Sequence, residues 1–381
     1  MKLCGDWIER PATQAVCQMI EAAGHQAFFV GGCVRNTLLD KPVTDIDIAT
    51  DAHPETVIRL AKANGLKPVP TGLDHGTVTV VSDHIPHEVT TFREDVETFG
   101  RHAVVAFSDD VAHDARRRDF TMNALYASCD GTLVDPLGGL ADLQARHVRF
   151  IDDPNQRIRE DYLRILRFFR FHAWYGDPDM GLDAEGLAAV SQNIDGLAGL
   201  SHERISAEIV KLLTAPDPSP SVAAMRACGV LTAVLPGSDD RALAPLVHLE
   251  QIAGLAPDPM LRLAALAGDV DASRLRLSKA HGRRLALLSL EAVSTKSPGE
   301  LGYRHGADLG VAILVLRSAL LEMPFDPAGA DAARQAAHKR FPVTAHDLMP
   351  DYSGPALGQR LSDLEQRWIE SGFTLGKEDL L

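Results

Sequence analysis

The pattern of apolar residues changes once along the chain, at the stretch DPLGGLADL that begins at Asp135. Before this point, short stretches alternate or run apolar between Gly, Asp and Pro residues, which is typical of strands. They are AFFV, TDIDIAT, TVTVV, HEVTTF and TMNALYAS. Helical periodicity covers residues 7–23 and 54–64 there, and it continues almost to the end of the chain after the change. The pattern predicts a mixed α/β domain over about the first 135 residues, followed by a long all-helical body.

Length and charge limit the classes of protein to which the chain can belong. At 381 residues it exceeds the size at which one hydrophobic core stops growing, so two or more domains are expected. The net charge of −14 argues against a uniformly basic coat for nucleic acid, because phosphates are bound by Lys and Arg. Positive charge is uneven, however: residues 116–118 are all arginine, and residues 146–170 carry seven arginines against four carboxylates. A basic channel in an acidic protein is compatible with this distribution.

Cysteine usage and hydropathy predict a cytoplasmic protein. The five cysteines are scattered and form no C-x-x-C pair, which argues against a disulfide framework and against a zinc site. No apolar run approaches the roughly 20 residues that a membrane helix requires, and the first residues lack the apolar core of a signal peptide.

Two carboxylates lie close together in the stretch TDIDIAT. On a strand, Asp45 and Asp47 leave the same face, about 6.6 Å apart along the chain, while Ile46 and Ile48 point into the core. Such a pair can bracket divalent ions that activate an attacking oxygen and neutralise a leaving one. Oxygen ligands favour Mg²⁺ over zinc. The pair therefore predicts a magnesium site.

A turn suited to phosphate precedes these carboxylates. In FFVGGCVRN, a strand is followed by Gly31 and Gly32 and by a helix start that carries Arg35. Glycines let the backbone approach a phosphate, helix-terminal N–H groups face it, and an arginine can bind it. Either the turn or the carboxylate pair alone is more often structural. Together, in this order, they suggest a nucleoside triphosphate beside a metal ion.

Two further stretches extend the candidate site. Glu88 in HEVTTFR is the best candidate for a third metal-binding carboxylate, although a charge on an edge strand explains it nearly as well. In RRRDFTMNALY, three arginines precede an acid, and Thr121 and Asn123 then alternate with apolar residues in an expected strand. A solvated charge run is the usual explanation of such arginines, but this one leads directly into a core strand.

The ordered set of motifs resembles the class II tRNA nucleotidyltransferase family, which comprises CCA-adding enzymes and bacterial poly(A) polymerases. The motifs are GGCVRNTLLD with TDIDIAT, TGLDHGTVTV, HEVTTFRED, RRRDFTMNALY, DPLGGLADL and REDYLRILRFFRF. The closing stretch GPALGQRLSDLEQRWIESGF also resembles the tail of bacterial CCA-adding enzymes, so the resemblance covers nearly the whole chain.

The resemblance implies an α+β fold and a reaction. A nucleotidyltransferase head with a mixed five-stranded sheet (residues 1–135) would precede a helical neck (136–215), body (216–290) and tRNA-binding tail (291–381). CTP and ATP would be the substrates, and the 3′-hydroxyl of tRNA would attack the α-phosphorus with release of pyrophosphate. Positioning and charge neutralisation would supply most of the rate.

The resemblance also assigns roles to residues. Asp45 and Asp47 would hold Mg²⁺, while Glu88, suggested by its place in a strand, stays the candidate for a further catalytic carboxylate. Two sets of residues would bind the nucleotide: Gly31, Gly32 and Arg35 would hold the triphosphate, and Arg118, Asp119 and Asn123 would bind the nucleotide. A carboxylate such as Asp119 can accept a hydrogen bond from a ribose 2′-hydroxyl.

The stretch REDYLRILRFFRF is the most informative one outside the head. On a helix, Asp161, Arg164 and Phe168 share one face, which for an arbitrary protein would indicate an intrahelical ion pair. In the family, the corresponding Glu-Asp-x-x-Arg set reads the Watson–Crick edge of the incoming nucleotide, so that protein replaces a template. Asp161 and Arg164 would then address the base, Glu160 would orient Arg164, and Arg167 would join the nucleotide-binding set.

Several features bear on the kind of enzyme. Residues 93–107 look like the flexible loop that accompanies the switch from C to A addition. Asn36, Phe99 and His113 stand where an acid is common in the family. The alternatives are a bacterial poly(A) polymerase, an A-only tRNA nucleotidyltransferase and, from a different class, a catalytically silent RNA-binding protein.

Overall fold

The computed structural model describes residues 1–99, 102–266 and 275–381. The chain forms two compact units. Unit 1 contains residues 1–201 and 227–233, and unit 2 contains residues 202–226 and 234–381. The predicted head, neck, body and tail boundaries stay a prediction.

Unit 1 is built on a mixed sheet. Its strands are β1 (Ala27–Val30), β2 (Ile46–Thr50), β3 (Lys67–Gly72), β4 (Thr77–Ser82), β5 (Ile85–Thr91), a separate pair β6 (Arg93–Phe99) and β7 (His102–Phe107), then β8 (Tyr126–Ser128) and β9 (Leu133–Val134). Within the described residues, seven of these strands form one sheet in the order β3-β4-β5-β2-β1-β8-β9. Neighbours are antiparallel except β2 and β5, which run parallel.

The helices follow the predicted division of the chain. They are α1 (Asp6–Glu9), α2 (Pro11–Glu21), α3 (Gly32–Leu38), α4 (Pro54–Ala63), α5 (Val111–Arg116), α6 (Gly139–Gln144), α7 (Pro154–Glu160), α8 (Leu163–Tyr175), α9 (Ala184–Gln192), α10 (His202–Leu213), α11 (Ser219–Ala227), α12 (Val230–Val234), α13 (Leu243–Ala253), α14 (Pro259–Leu266), α15 (Lys279–Ala292), α16 (Pro298–His305), α17 (Ala307–Leu320), α18 (Pro327–Ala336), α19 (Gly354–Glu370) and α20 (Lys377–Leu380). The predicted α+β class is confirmed.

The expected count of five strands is wrong, because two strands carry weak signals. Strand β3 has the sequence KPVPTG, whose two prolines are rare inside sheets; it lies at the sheet edge, and its register with β4 shifts between Val69 and Gly72. Strand β9 has only two residues. The expected strand TMNALYAS is also shorter than predicted, since Thr121–Asn123 forms a short 3₁₀ helix and only Tyr126–Ser128 joins the sheet.

Residues 93–107, expected to be a loop, contain the antiparallel strands β6 and β7 instead. The expectation rested on the Glu, Asp, Gly and Arg content of the segment, whereas the β-branched and aromatic residues of HAVVAF favour a strand. Residues 100 and 101 lie outside the described residues. The proposed movement of this segment stays a prediction.

Aromatic side chains pack α8 against the segment that follows the three arginines at residues 116–118. The ring of Phe120 lies 4.9 Å from that of Phe150 and 5.0 Å from that of Phe171, between ring centroids. Phe168 stacks on Phe150 at 5.3 Å. Because Phe168 and Phe171 belong to α8, this buried cluster fixes α8 beside the residues around Asp119.

Unit 2 is helical throughout its described residues, as the sequence predicts. Arg262 on α14 forms a buried ion pair with Glu250 on α13, 2.8 Å between Nη2 and Oε2. The same guanidinium donates to the carbonyl oxygens of Leu213 and Pro216 at 2.8 and 3.1 Å, and to that of Ala215. These bonds tie the end of α10 to α13 and α14. None of the described helices has the length and apolar character needed to cross a membrane.

Candidate active site

Three carboxylates lie at or near the start of β2. Asp47 on β2 is in register with Glu88 on the parallel strand β5, and Asp45 lies exposed just before β2. The pKa of the Asp47 carboxyl is raised to about 6, mainly by burial and also by the negative charges of Glu88 and Asp45, and Arg118 and Arg35 oppose this rise. A carboxylate that is hard to ionise among other acids is stabilised by a nearby cation.

These residues fit a divalent ion in their chemistry. All three offer carboxylate oxygen, the ligand type that Mg²⁺ and similar hard cations prefer. Among the described residues, no group of three or more acidic, His or Cys side chains is arranged as a ready-made metal site. The fit therefore rests on the oxygen donors and on the raised pKa of Asp47, with the remaining ligands to come from substrate or water.

The glycine pair makes the turn from β1 into α3. Gly31 has φ +70°, a conformation that L-residues with side chains rarely adopt, and a Cβ there would lie 3.4 Å from Nη1 of Arg118. Gly32 begins α3, and Arg35 lies one turn later. The guanidinium of Arg118 therefore lies directly against Gly31, and that of Arg35 lies beside Gly32.

Arg35 is a buried cation held by neutral groups. Only 7% of the residue is exposed. Its Nη1 donates to Oδ1 of Asn123 at 2.5 Å, and its Nη2 donates to Oδ1 of Asn36 at 3.0 Å and to the hydroxyl of Tyr175 at 2.9 Å. Its Nε is buried without a hydrogen-bond partner. Burial lowers the pKa of Arg35, and no carboxylate of the described residues forms an ion pair with it. Such a group is stabilised by an anionic ligand.

Arg118 is held by an acid that the sequence analysis did not select. Asp114, 1% exposed, receives Nη2 of Arg118 at 3.0 Å, Nε of Arg117 at 2.8 Å and the hydroxyl of Tyr126 at 2.7 Å. Burial by itself would raise the pKa of Asp114, but the two arginines hold it well below its usual range. Asp114 stands three and four residues before these arginines, which is the spacing of neighbouring side chains on a helix. This spacing was the sequence signal that could have identified it as their partner.

Asp119 and Asn123 link Arg35 to α8. Oδ1 of Asp119 accepts from Nδ2 of Asn123 at 2.8 Å, and Oδ2 accepts from Nε of Arg167 at 2.7 Å. Although burial would raise the pKa of the Asp119 carboxyl, Arg167 and Asn123 lower it to about 2. The hydrogen bonds thus run without interruption from Arg35 through Asn123 and Asp119 to Arg167.

The expected single helix over REDYLRILRFFRF is interrupted. Helix α7 ends at Glu160, Asp161 is extended with φ −151° and ψ 105°, and α8 begins at Leu163. Oδ1 of Asp161 accepts from the backbone N–H of Leu163 at 3.1 Å. Asp161 and Arg164 therefore do not share one continuous helix face, which corrects that expectation.

Glu160 contacts Arg164 across this break. Oε2 of Glu160 accepts from Nη1 of Arg164 at 2.5 Å. Arg164 also donates from Nη1 to the carbonyl oxygen of Arg157 and from Nη2 to that of Arg117, both at 2.9 Å. These three hydrogen bonds hold the guanidinium of Arg164 in one orientation, and the role of Glu160 in base selection stays a prediction.

Two of the three unusual positions have a structural role. Asn36 accepts from Arg35 and donates through Nδ2 to the carbonyl oxygen of Pro42 at 3.0 Å, a bond that an ionised acid is unable to make. His113 lies on α5, with Nδ1 3.2 Å from Oγ of Ser108 and 3.8 Å from Oε2 of Glu94 on β6. The side chain of Phe99 lies outside the described part of the structure.

Family models match two parts of the chain. The model described as the poly(A) polymerase head domain matches residues 27–149, which include every candidate residue of the sheet. A second model, described as a probable RNA- and SrmB-binding site of polymerase A, matches residues 179–241.

Proteins that are similar to this chain over nearly its whole length are named as CCA-adding enzymes or CCA tRNA nucleotidyltransferases. The chain is 33% identical to the mitochondrial CCA tRNA nucleotidyltransferase 1 of Mus musculus, over 97% of this chain and 88% of the relative. It is also 33% identical to the CCA-adding enzyme of Limosilactobacillus fermentum, over 96% and 94%. The crystal structure of the Bacillus stearothermophilus CCA-adding enzyme in complex with CTP matches with a TM-score of 0.74 and 27% identity, covering 95% of this chain and 94% of that one.

Proposed function

Because the chain belongs to the family of CCA tRNA nucleotidyltransferases and poly(A) polymerases, we propose that it adds C, C and A to the 3′ end of tRNA. CTP and ATP are the substrates, tRNA is the partner and pyrophosphate is released. The 3′-hydroxyl oxygen forms a bond to the α-phosphorus as the bond from that phosphorus to the bridging oxygen breaks. The chain is a nucleotidyltransferase that acts without a nucleic-acid template.

The proposal rests on one observation about unit 1. It contains carboxylates that a bound metal ion would stabilise, and it also contains a buried arginine that a bound anion would stabilise. Asp47 has a raised pKa between Glu88 and Asp45, and Arg35 is buried with only neutral hydrogen-bond partners among the described residues. A metal–nucleoside triphosphate complex satisfies both at once. Few other small ligands carry both a cation for the carboxylates and an anion for the arginine.

Members of the family use divalent metal ions, and we propose Mg²⁺ for this chain. Asp45 and Asp47 would hold it, and Glu88 would stand beside Asp47 as the further carboxylate. When bound, the ion supplies positive charge for the attacking and leaving oxygens.

The remaining candidate residues of the head would position the nucleotide. The turn at Gly31 and Gly32, with two guanidinium groups beside it, and Arg35 in particular would take the triphosphate. Arg118, held by Asp114, would add a second positive charge. Asp119, kept ionised by Arg167 and joined to Asn123, would accept from the ribose hydroxyl.

We assign base selection to the junction of α7 and α8. Asp161 would accept from the base edge and Arg164 would donate to it, while Glu160 holds Arg164. Arg167 contributes through its bond to Asp119. The residue ranges for head (1–135), neck (136–215), body (216–290) and tRNA-binding tail (291–381), and the cytoplasmic location, belong to this proposal as well.

The deciding experiment supplies purified protein and Mg²⁺ with tRNA that lacks its 3′ end, giving CTP and ATP separately and then together. We expect two C additions with CTP and completion to CCA with both. Extension of generic RNA with long A tails while CTP is ignored would indicate a poly(A) polymerase instead. A single A added only to tRNA that already ends in CC would indicate the A-only enzyme.

A further inference from the structure

Tyr175, the last residue of α8, contacts Arg35 although 140 residues separate them in the chain. The Tyr175 hydroxyl accepts from Nη2 of Arg35 at 2.9 Å. The guanidinium carbon of Arg35 also lies 4.1 Å from the centroid of the Tyr175 ring. One aromatic side chain thus provides both a hydrogen-bond acceptor and a π face to one buried arginine.

The Tyr175 ring is itself held in place. Nζ of Lys41 lies 4.6 Å from its centroid and donates to the carbonyl oxygen of Trp174 at 2.7 Å. The ring of Phe171, one helical turn earlier, lies 5.5 Å from that of Tyr175 and 5.2 Å from the guanidinium of Arg35. Lys41 and Phe171 therefore restrict the position of the ring against which Arg35 rests.

The groups that contact Arg35 are uncharged, and this determines how they affect its guanidinium. A carboxylate bound to Arg35 would neutralise its charge and compete with phosphate. The Tyr175 hydroxyl, its ring and the side-chain oxygens of Asn36 and Asn123 orient the guanidinium without removing its charge. An arginine kept oriented and electrostatically available is suited to an anionic ligand.

We propose that Tyr175 is a positioning residue that directs Arg35 towards the triphosphate of the incoming nucleotide. This inference rests on the proposed function. Helix α8 carries Arg164 near its first turn and Tyr175 at its end, about 16 Å apart along the axis. One helix therefore braces the base-selecting end and the triphosphate end of the nucleotide site, and Tyr175 acts on the part that CTP and ATP share.

Tyr175→Phe tests this role, because it removes the hydroxyl and keeps the ring. We expect KM for CTP and for ATP to rise alike, by about 10-fold, the loss typical of one hydrogen bond to a charged group. We expect kcat to stay within about twofold and the preference between the two nucleotides to stay unchanged. Inorganic triphosphate, which has no base, should inhibit the wild-type protein and should inhibit this variant about 10-fold more weakly. Tyr175→Leu, which also removes the π face, should raise both KM values by roughly another threefold.

Tyr303→Phe is the matched control. The Tyr303 hydroxyl donates to Oε1 of Glu365 at 2.6 Å in unit 2, so this variant loses a comparable bond outside the proposed site. Because this residue lies in the proposed tRNA-binding tail, the assay uses saturating tRNA, and the KM values for CTP and ATP and the inhibition by triphosphate should then match the wild type. Unchanged KM values in Tyr175→Phe, or a rise for one nucleotide only, would overturn the inference while C and A incorporation by the wild type still upheld the proposed function. A wild-type protein that incorporates neither nucleotide would overturn both.

Discussion

Arg164 is held in a way that leaves part of its guanidinium free for a base edge. A guanidinium has five N–H donors, and three of those of Arg164 are used by Glu160, Arg157 and Arg117. Arg164→Ala should therefore impair the choice among nucleotides by about 10- to 100-fold, because a good pairing with a base edge contributes about 1–3 kcal/mol. The measurement is kcat/KM for CTP, ATP, UTP and GTP, together with a Mg²⁺ titration.

Arg159→Ala is the control for this prediction. Arg159 is exposed on α7, and its Nε donates to Oδ1 of Asn193 at 3.2 Å. Its removal should leave selectivity and Mg²⁺ dependence close to the wild type. Equal loss for all four nucleotides in Arg164→Ala, with a weaker response to Mg²⁺, would contradict a role in base selection.

The Asp119 carboxyl should make the stability of the protein sensitive to acid. Its pKa is lowered to about 2 in the folded chain from 3.8, so the unfolded state takes up a proton first as the pH falls. The stability that Asp119 contributes is complete above about pH 4 and is lost between about pH 4 and pH 2. Asp119→Asn should lower the free energy of unfolding by about 2 kcal/mol at pH 7 and by much less near pH 2, as measured by urea denaturation.

Asp40→Asn is the control variant for Asp119→Asn. Asp40 is exposed, has φ +52°, which asparagine tolerates, and forms no ion pair with any residue of the described ranges. We expect a change within about 0.5 kcal/mol at either pH. A loss of stability in Asp119→Asn that is the same at pH 7 and near pH 2 would show that shape, and not charge, is responsible.

At the scale of elements, the local sequence pattern predicted those strands and helices whose starts and ends are marked by nearby residues. Helix α4 begins at Pro54 and ends one residue before the predicted Asn64. The helix expected over residues 7–23 is interrupted at Arg10, because the residue before a proline disfavours helical geometry and Pro11 follows. The order of the strands and the pairing of Asp47 with Glu88 depend on contacts across the sheet, so the local pattern suggested Glu88 as a third carboxylate but did not predict its register with Asp47.

The break between α7 and α8 shows why other features were missed. Tyr162 packs so closely against Gly196 that a Cβ there would lie 2.0 Å from its ring. Asp114 and Tyr175 likewise acquire their roles from partners on other elements. No spacing within the stretch REDYLRILRFFRF encodes the positions of those partners. The sequence therefore suggested a set of candidate residues but not the side chains that hold them in place.

A close approach of two helices in unit 2 gives a prediction at this scale. A Cβ at Gly302 on α16 would lie 1.9 Å from the carbonyl oxygen of Ala333 on α18. Gly302→Ala must push these helices apart, and we expect it to lower the free energy of unfolding by about 1–3 kcal/mol. Gly282→Ala on α15 is the matched control, since no atom lies within 4 Å of its added Cβ. This variant should stabilise the protein by about 0.5–1 kcal/mol. Equal effects of the two substitutions, measured by urea denaturation, would refute the packing argument.

At the scale of the whole molecule, catalysis and RNA binding should be separable. The chain has a net charge of −14, so RNA must be bound by local groups of Arg and Lys and not by overall attraction. Asp47 lies in the sheet of unit 1, where its carboxylate neighbours Glu88, and it adds negative charge that RNA binding does not need. A silent RNA-binding protein would have no use for this carboxylate.

Asp47→Ala therefore distinguishes the enzyme from such a binding protein. We expect incorporation of C and A to fall by at least about 100-fold, because a ligand of the proposed metal site and its transition-state stabilisation are lost. The Kd for tRNA, measured at fixed salt because phosphate contacts depend on salt, should stay within about threefold of the wild type. Asp40→Asn, which changes an exposed carboxylate on the same unit, should leave both quantities unchanged. Wild-type protein that binds tRNA and incorporates nothing with Mg²⁺ would favour the silent protein, and loss of tRNA binding in Asp47→Ala would mean that Asp47 supports the RNA site itself.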